Sequence, residues 1–241
     1  MNNKYLNFYF LTLLAVSVNT FSQEEESTET ANQNGTVEEV IVTATKRPEN
    51  LQNVPVAVTV FNSQVIQEAG INDLSDVARM TASAHITNTR HPFQTRLAIR
   101  GIGTAQNDPA LEPSVGIFVD GISLGRTGLG TSDLSDIERI EVLQGPQGTL
   151  YGKNTNAGVI NIITKKPNAE ENEGYAELSL GDYGLRKYKF TTSGPLTDKV
   201  AVRFTQNFHL RDGYFKNSNG PNSSDEDTSN LQFKLYVQPS D

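Results

Sequence analysis
The sequence predicts an α+β domain followed by the first strands of a transmembrane antiparallel β-barrel. Two observations carry that prediction. Residues 97–167 string short β-rich runs between glycine turns: LAIRGIG, then PSVGIFVDGISLGR, then DLSDIERIEVLQGPQGTLYGKNTNAGVINIITKKP. Beyond Glu173, four segments alternate apolar and polar residues, the period of a strand with one apolar face.

Residues 1–22 read as an export signal. A mostly apolar run, residues 5–18 (YLNFYFLTLLAVSV), follows the single basic residue Lys4, and Thr20-Phe21-Ser22 places small residues at −3 and −1 of a cleavage site after Ser22. The run has the length of a signal-peptide core and is too short to span a bilayer as a helix. A core helix is the alternative, but an acidic polar stretch follows and no helical pattern continues. No later segment has the run of ~18 apolar residues of a transmembrane helix. An exported chain of this kind is periplasmic, secreted or an outer-membrane barrel. The absence of cysteine excludes a disulfide framework and a thiolate metal site. Net charge is −8, and loss of Lys4 with the signal makes it more negative. That argues against a nucleic-acid partner, which requires a basic face.

Residues 23–48 form a tether. Residues 23–37 (QEEESTETANQNGTV) are acidic, polar and free of aromatics, so they cannot bury enough surface to fold. Then comes Glu38-Glu39-Val40-Ile41-Val42-Thr43-Ala44, a β-branched run with no neighbouring hairpin partner in the sequence. A tethered strand in this position favours strand addition to another protein. Pairing with the following domain is the alternative.

Residues 49–168 read as the α+β domain. Residues 55–61 (PVAVTVF) form a β-rich run. Residues 63–69 and 73–80 read as two short helices, with Ser63 and Asp73 of N-cap type and Gly70 at the first stop. Residues 98–100, 115–119 and 139–143 are strand candidates. Residues 159–164 (VINIIT) are nearly continuously apolar, as in a buried strand. Asp120-Gly121 marks a turn, and residues 133–138 (DLSDIE) suggest one helical turn.

Residues 169–241 carry the four alternating segments. Ala176, Leu178 and Leu180 oppose Tyr175, Glu177 and Ser179; Tyr188 and Phe190 oppose Lys187, Lys189 and Thr191. Val200, Val202, Phe204, Phe208 and Leu210 alternate with Ala201, Arg203, Thr205, Asn207, His209 and Arg211, with Gln206 out of step. Leu231, Phe233, Leu235 and Val237 oppose Gln232, Lys234 and Tyr236. A soluble sheet with one wet face gives the same alternation. A barrel adds strands of ~9–11 residues and short turns alternating with long loops. Here a short turn at 194–198 precedes a long polar stretch at 212–229, although the connection at 181–184 is also short. Four strands cannot close a barrel, so the expectation is the N-terminal part of a longer chain.

Five motifs in order resemble the TonB-dependent outer-membrane receptors. Residues 38–44 resemble the TonB box of that family. Residues 97–101 (LAIRG) resemble its Arg-Gly motif, and 115–121 (VGIFVDG) the strand and turn that follow. Residues 137–146 (IERIEVLQGP) and 158–165 (GVINIITK) resemble its two closing plug motifs. The likeness covers nearly the whole chain after the signal. It implies a globular plug inside a 22-stranded barrel in the outer membrane of a Gram-negative-type bacterium, with plug and N-terminus facing the periplasm. It implies TonB-dependent import of a scarce nutrient, first an iron–siderophore complex, with cobalamin, haem and glycans as other cargoes. No enzymatic role and no covalently bound cofactor follow from it. Its partners would be the TonB energy-transducing complex of the inner membrane, outer-membrane lipid and a small-molecule ligand.

The same resemblance assigns residues. Glu38, Glu39, Val40, Ile41, Val42 and Thr43 would bind TonB. Arg100 and Arg139 lie in strand-like runs, where a charge must be paired. Partners within the domain are one reading; the resemblance implies instead barrel glutamates that lock the plug. Arg90, His91, Phe93 and Arg96, in the loop before the Arg100 strand, are candidate contacts for an anionic ligand, as are Gln106 and Asn107 in the loop at 103–113. A plain solvated loop is the alternative for each.

Other chemistry is weaker. The stretch GPQGTLYGK superficially matches a phosphate loop, but Gln147 stands at the first glycine and Asn154 at the hydroxyl position. Gly101-Ile102-Gly103 lacks the third glycine of a dinucleotide fingerprint. His85, His91 and His209 are too dispersed for a metal motif. No nucleophile–base constellation is present. An exported soluble periplasmic ligand-binding module is the alternative function, if the chain is complete at Asp241.

Overall fold
The computed structural model describes residues 40–87, 95–104, 111–125, 134, 136–220 and 222–239. The α+β domain is organised by a five-stranded sheet. Its strands are β3 (Val58–Asn62), β7 (Val115–Val119), β8 (Ile122–Leu124), β9 (Ile137–Gln144) and β10 (Gly158–Thr164), in the order β3-β9-β10-β7-β8. β10 pairs parallel to β7 and antiparallel to β9. Successive side chains leave a strand on opposite faces. Ile117, Val142 and Ile160 therefore enter one apolar cluster, and Phe118, Leu143 and Val159 enter another. Both faces of β10 are covered, which is why its sequence is a run and not an alternation.

Two short helices cover the first cluster through Ile66, Leu74 and Val77. α1 (Ser63–Glu68) is capped by Asn62, whose side chain accepts from the Val65 amide at 2.9 Å; Asn62, not Ser63, is the N-cap. α2 (Leu74–Met80) has Asp73 as its cap, with Asp76 closing a capping box. A small sheet of β4 (Ala84–Thr87), β5 (Arg96–Ile99) and β6 (Ile102–Gly103) completes the domain, with a short α3 (Gly148–Tyr151) between β9 and β10.

Two sequence expectations are corrected here. β5 ends at Ile99, and Arg100 sits in a turn at φ 51°, exposed to solvent. The strand run is closed by the Arg100-Gly101 turn that lets β6 fold back. Asp136, expected inside a helical turn, has φ 60°; a left-handed residue cannot continue a helix, and β9 begins directly after it.

The last segment is a four-stranded antiparallel sheet: β11 (Glu173–Gly181), β12 (Leu185–Thr197), β13 (Val200–Arg211) and β14 (Glu226–Val237), paired in chain order. β14 begins earlier than its alternation suggested, because Glu226 to Asn230 pair with Arg211 to Asn207 of β13. The connecting loop is correspondingly shorter, residues 212–225. Gly194 lies where the incoming chain crosses β12; a Cβ there would stand 2.0 Å from the Asn172 side-chain oxygen.

The sense of this sheet is inverted relative to a soluble protein. Its polar residues Thr191, Ser193, Arg203, Thr205, Gln206 and Asn207 are buried. Its large apolar residues face outward: Leu180 is 71% exposed and Phe233 62%, with Leu178, Leu231 and Leu235 similar. In water such a face would be an aggregation surface; toward acyl chains it is the favoured one. Among the described residues no helix is long and apolar enough to cross a membrane.

Candidate functional site
Two polar constellations join parts of the chain that are far apart in sequence. The first holds residues 40–44 of the 38–44 run. Within it Ile41–Val42 forms β1, which pairs antiparallel with β2 (Glu49–Asn50). The run thus has a hairpin partner in its own chain, contrary to the sequence expectation. The reason is that Glu49 and Asn50 carry no strand signal of their own; the turn brings them back, with Lys46 at φ 64° and its amide on the Thr43 carbonyl at 2.9 Å. Glu38 and Glu39 lie outside the described residues.

Docking of this hairpin is partly apolar. Val42 and Ala44 are buried against Phe118, Leu143, Tyr151 and Val159, with Val40 beside them. The Lys46 ammonium lies 4.1 Å from the Tyr151 ring centroid and 5.1 Å from that of Phe118, a cation–π contact on an edge-to-face aromatic pair.

Its polar centre is Glu141 on β9, which is 0% exposed. The carboxylate accepts from the Thr43 amide at 2.8 Å, from the Thr43 hydroxyl at 3.1 Å, from Arg139 Nε at 2.9 Å and from Asn161 Nδ2 at 3.1 Å. A buried carboxylate is tolerated only when its lone pairs are filled in this way. Arg139 also donates to the Thr43 hydroxyl at 3.2 Å and pairs with Glu138. Nearby, burial and the Glu141 charge push the Tyr151 hydroxyl up to about 12.

The second constellation joins the α+β domain to the four-stranded sheet. Arg203 on β13 donates from Nε and Nη2 to the two oxygens of Asp136, at 2.7 and 2.6 Å. This is a bidentate pair whose side chains are 6% and 3% exposed. Thr205 adds its hydroxyl at 2.9 Å, and Glu173 pairs with the remaining Arg203 nitrogen. Burial works to raise the Asp136 carboxyl, but the Arg203 hydrogen bonds and charge, with Thr205 and Lys234, outweigh it and hold Asp136 below its ordinary value. On β14, Lys234 donates to the Thr164 hydroxyl at 2.5 Å and the Lys165 carbonyl at 2.6 Å. Thr164 in turn is held by Asp120 at the end of β7, its amide at 2.9 Å.

The other sequence-selected residues are placed as follows. Arg139 finds its partners inside the domain and in the docked hairpin. Arg100 donates from Nε to the Gln144 side chain at 3.1 Å; being exposed, it bears no burial penalty here. Arg96 opens β5 opposite Thr87. Arg90, His91, Phe93, Gln106 and Asn107 lie outside the described residues. Among the described residues no cluster of metal-ligating side chains occurs. Sequence reasoning missed Glu141, Asp136, Arg203 and Lys234. A signal for Glu141 was present, a carboxylate between Ile140 and Val142; Asp136 offered none.

Comparison with known proteins places this geometry. Residues 50–159 match the TonB-dependent receptor plug domain. The chain is 31% identical to the pesticin receptor of Yersinia pestis over 78% of its own length and 26% of that protein's. It is 33% identical to the ferripyoverdine receptor of Pseudomonas aeruginosa over 72% and 22%. Among solved structures, the ferric yersiniabactin uptake receptor of Yersinia pestis superposes with a TM-score of 0.69 at 29% identity, covering 76% of this chain and 29% of that one. The ferripyoverdine receptor of the outer membrane of Pseudomonas aeruginosa, bound to ferripyoverdine, superposes at 0.62 and 25% identity, covering 73% and 23%. The chain spans about a quarter of the length of the curated relatives it matches. With a plug domain of matching sequence and fold, followed by a sheet that resembles the first barrel strands of those receptors, the chain belongs to the TonB-dependent outer-membrane receptor family.

Proposed function
We propose that this chain serves TonB-dependent import of an iron–siderophore complex across the outer membrane of a Gram-negative-type bacterium. The observation that carries the reading is the inverted sheet: polar faces wrap the plug while Leu180, Phe233 and Leu235 face outward. That arrangement suits a wall between lipid and a plug, and is the reverse of a soluble sheet's apolar-in, polar-out sense. The iron cargo is supported by the relatives, a ferripyoverdine receptor and a ferric yersiniabactin uptake receptor.

In this reading residues 23–48 are the periplasmic tether, 49–168 the plug and 169–241 barrel wall. The short turn at 198–199 faces the periplasm and the loop at 212–225 faces outward, following the usual asymmetry of such barrels. Tyr183, Tyr214 and Phe215 cluster at that outer end, where aromatic residues favour the headgroup level. The run at 38–44 is the strand that TonB captures. Arg100 and Arg139 contribute to holding the plug, and Arg96 at the start of β5, with Arg90, His91, Phe93, Gln106 and Asn107, meets the ligand.

The test is Ile41→Pro. The alternation of the ladder turns the Ile41 amide away from β2, so proline removes a donor that a partner strand would use and spares the β1–β2 pairing. In a receptor carrying this segment, energised uptake should be lost and binding of ferric siderophore retained. Uptake at the parental rate rules out strand capture at this site.

A further inference from the structure
We propose that Glu141 is the gate of the 38–44 run: its carboxylate occupies the hydrogen-bonding edge of β1 that a partner strand must take. The inference rests on the reading of that run as a captured strand. It follows from the register of the hairpin. Leu51 donates to the Val40 carbonyl at 2.9 Å, and Ile41 and Val42 stand opposite Asn50 and Glu49. In an antiparallel ladder successive residues alternate between bonding to the partner and bonding outward. Val40 and Val42 therefore bond toward β2, and the amides of Ile41 and Thr43 point to the other edge. On that edge the Thr43 amide meets Glu141 Oε1 at 2.8 Å. The carboxylate stands where a carbonyl of an adding strand would stand.

Both edges of β1 are thus occupied in the docked state, one by β2 and one by Glu141. A strand cannot add without displacing one of them. The Ile41 amide lies on the Glu141 edge, so a strand that uses it must displace Glu141. If the hairpin leaves, the buried carboxylate loses the Thr43 amide and hydroxyl together and keeps only Arg139 and Asn161. Leaving a buried charge short of donors is costly, and that cost holds the run shut. The gate is also linked to Arg139, which donates to Glu141 and Thr43 alike. Any carboxylate that draws Arg139 away weakens the docked state, and by reciprocity undocking frees Arg139 for it.

The chain contains no cysteine, which makes the test direct. Val42→Cys places a single thiol where the parent side chain is fully buried, and its maleimide alkylation rate in the detergent-solubilised full chain reads the opening of the hairpin. Adding Glu141→Leu should accelerate alkylation by about tenfold or more, the scale of charged hydrogen bonds lost, and Glu141→Gln by less. Thr43→Val approaches the same contact from outside the core and should accelerate it several-fold. Hydrogen exchange of β9 and β10 reports whether the plug stays folded in each variant. If Glu141→Leu loosens those strands, Thr43→Val decides, and an alkylation rate equal to the parent overturns the gate. A TonB periplasmic domain should bind the opened variants more tightly by the same factor that alkylation gains. Faster alkylation without any binding of that domain leaves Glu141 as the residue that shuts the run and removes TonB as its partner.

Discussion
In the plug sheet, Ile140, Val142, Ile160 and Ile162 are sealed from solvent. In the four-stranded sheet, Leu178, Leu180, Phe233 and Leu235 are open to the surroundings while Arg203 and Thr205 are sealed. Both sheets are built from β-branched, aromatic and leucine residues, and in both successive side chains leave a strand on opposite faces. The difference lies in what each sheet takes as solvent. The plug hides apolar surface from water. The four-stranded sheet hides polar surface between itself and the plug and turns its apolar face outward, the face that meets lipid in the proposed reading. The comparison teaches that alternation reports two faces and is silent on which one is inside.

The largest test of that contrast removes one region. Residues 23–168, produced without the wall strands, should stay soluble and fold around the β9–β10 core. Residues 23–241 should pellet from buffer and need detergent, because the exposed apolar face and the two edge strands have no cover in water. A soluble monomeric 23–241 with protected amides in all four strands reverses the assignment of the faces.

A smaller effect is expected at the seam between the regions. Arg203→Ala leaves Asp136 buried and unpaired, a loss on the order of 3–5 kcal/mol, read as a lower unfolding midpoint in detergent. Replacing both, Asp136→Leu with Arg203→Met, should recover most of it, since a well-packed apolar pair can replace a buried ion pair.

Phe233→Arg sharpens the contrast on the outer face. On a lipid-facing strand the substitution costs about 2–4 kcal/mol near the midplane, whereas a soluble exposed site costs within about 0.5 kcal/mol. Unfolding from lipid bilayers separates the two.

The smallest effect is a pH dependence. Asp136 is held below the ordinary carboxylate value in the folded state, so its unfolded form takes up protons first. Its contribution is therefore fully present above about pH 5, clear of the unfolded range, and is lost as the pH falls through the lowered folded value. The midpoint difference between parent and Asp136→Asn should be constant from neutral pH down to about 5 and shrink on further acidification. A difference that instead grows in acid contradicts the pairing.

Local chemistry in the sequence determined much of this protein. The apolar run at 159–164, the alternation beyond Glu173, and Asp73 as a helix cap are short-range signals, and the order of the motifs at 38–44, 97–101, 137–146 and 158–165 pointed to the family. The tertiary structure decided the rest. It paired Ile41–Val42 with Glu49–Asn50, turned Arg100 out of its strand, and matched Asp136 with Arg203 across 67 positions. It also brought Thr43 onto Glu141 across 98. Such contacts depend on which surfaces meet after the sheets have formed, and a residue's own neighbours in sequence carry no record of them. A strand's period follows from its backbone geometry. The partner of a buried charge follows only from the packing that removes water from around it.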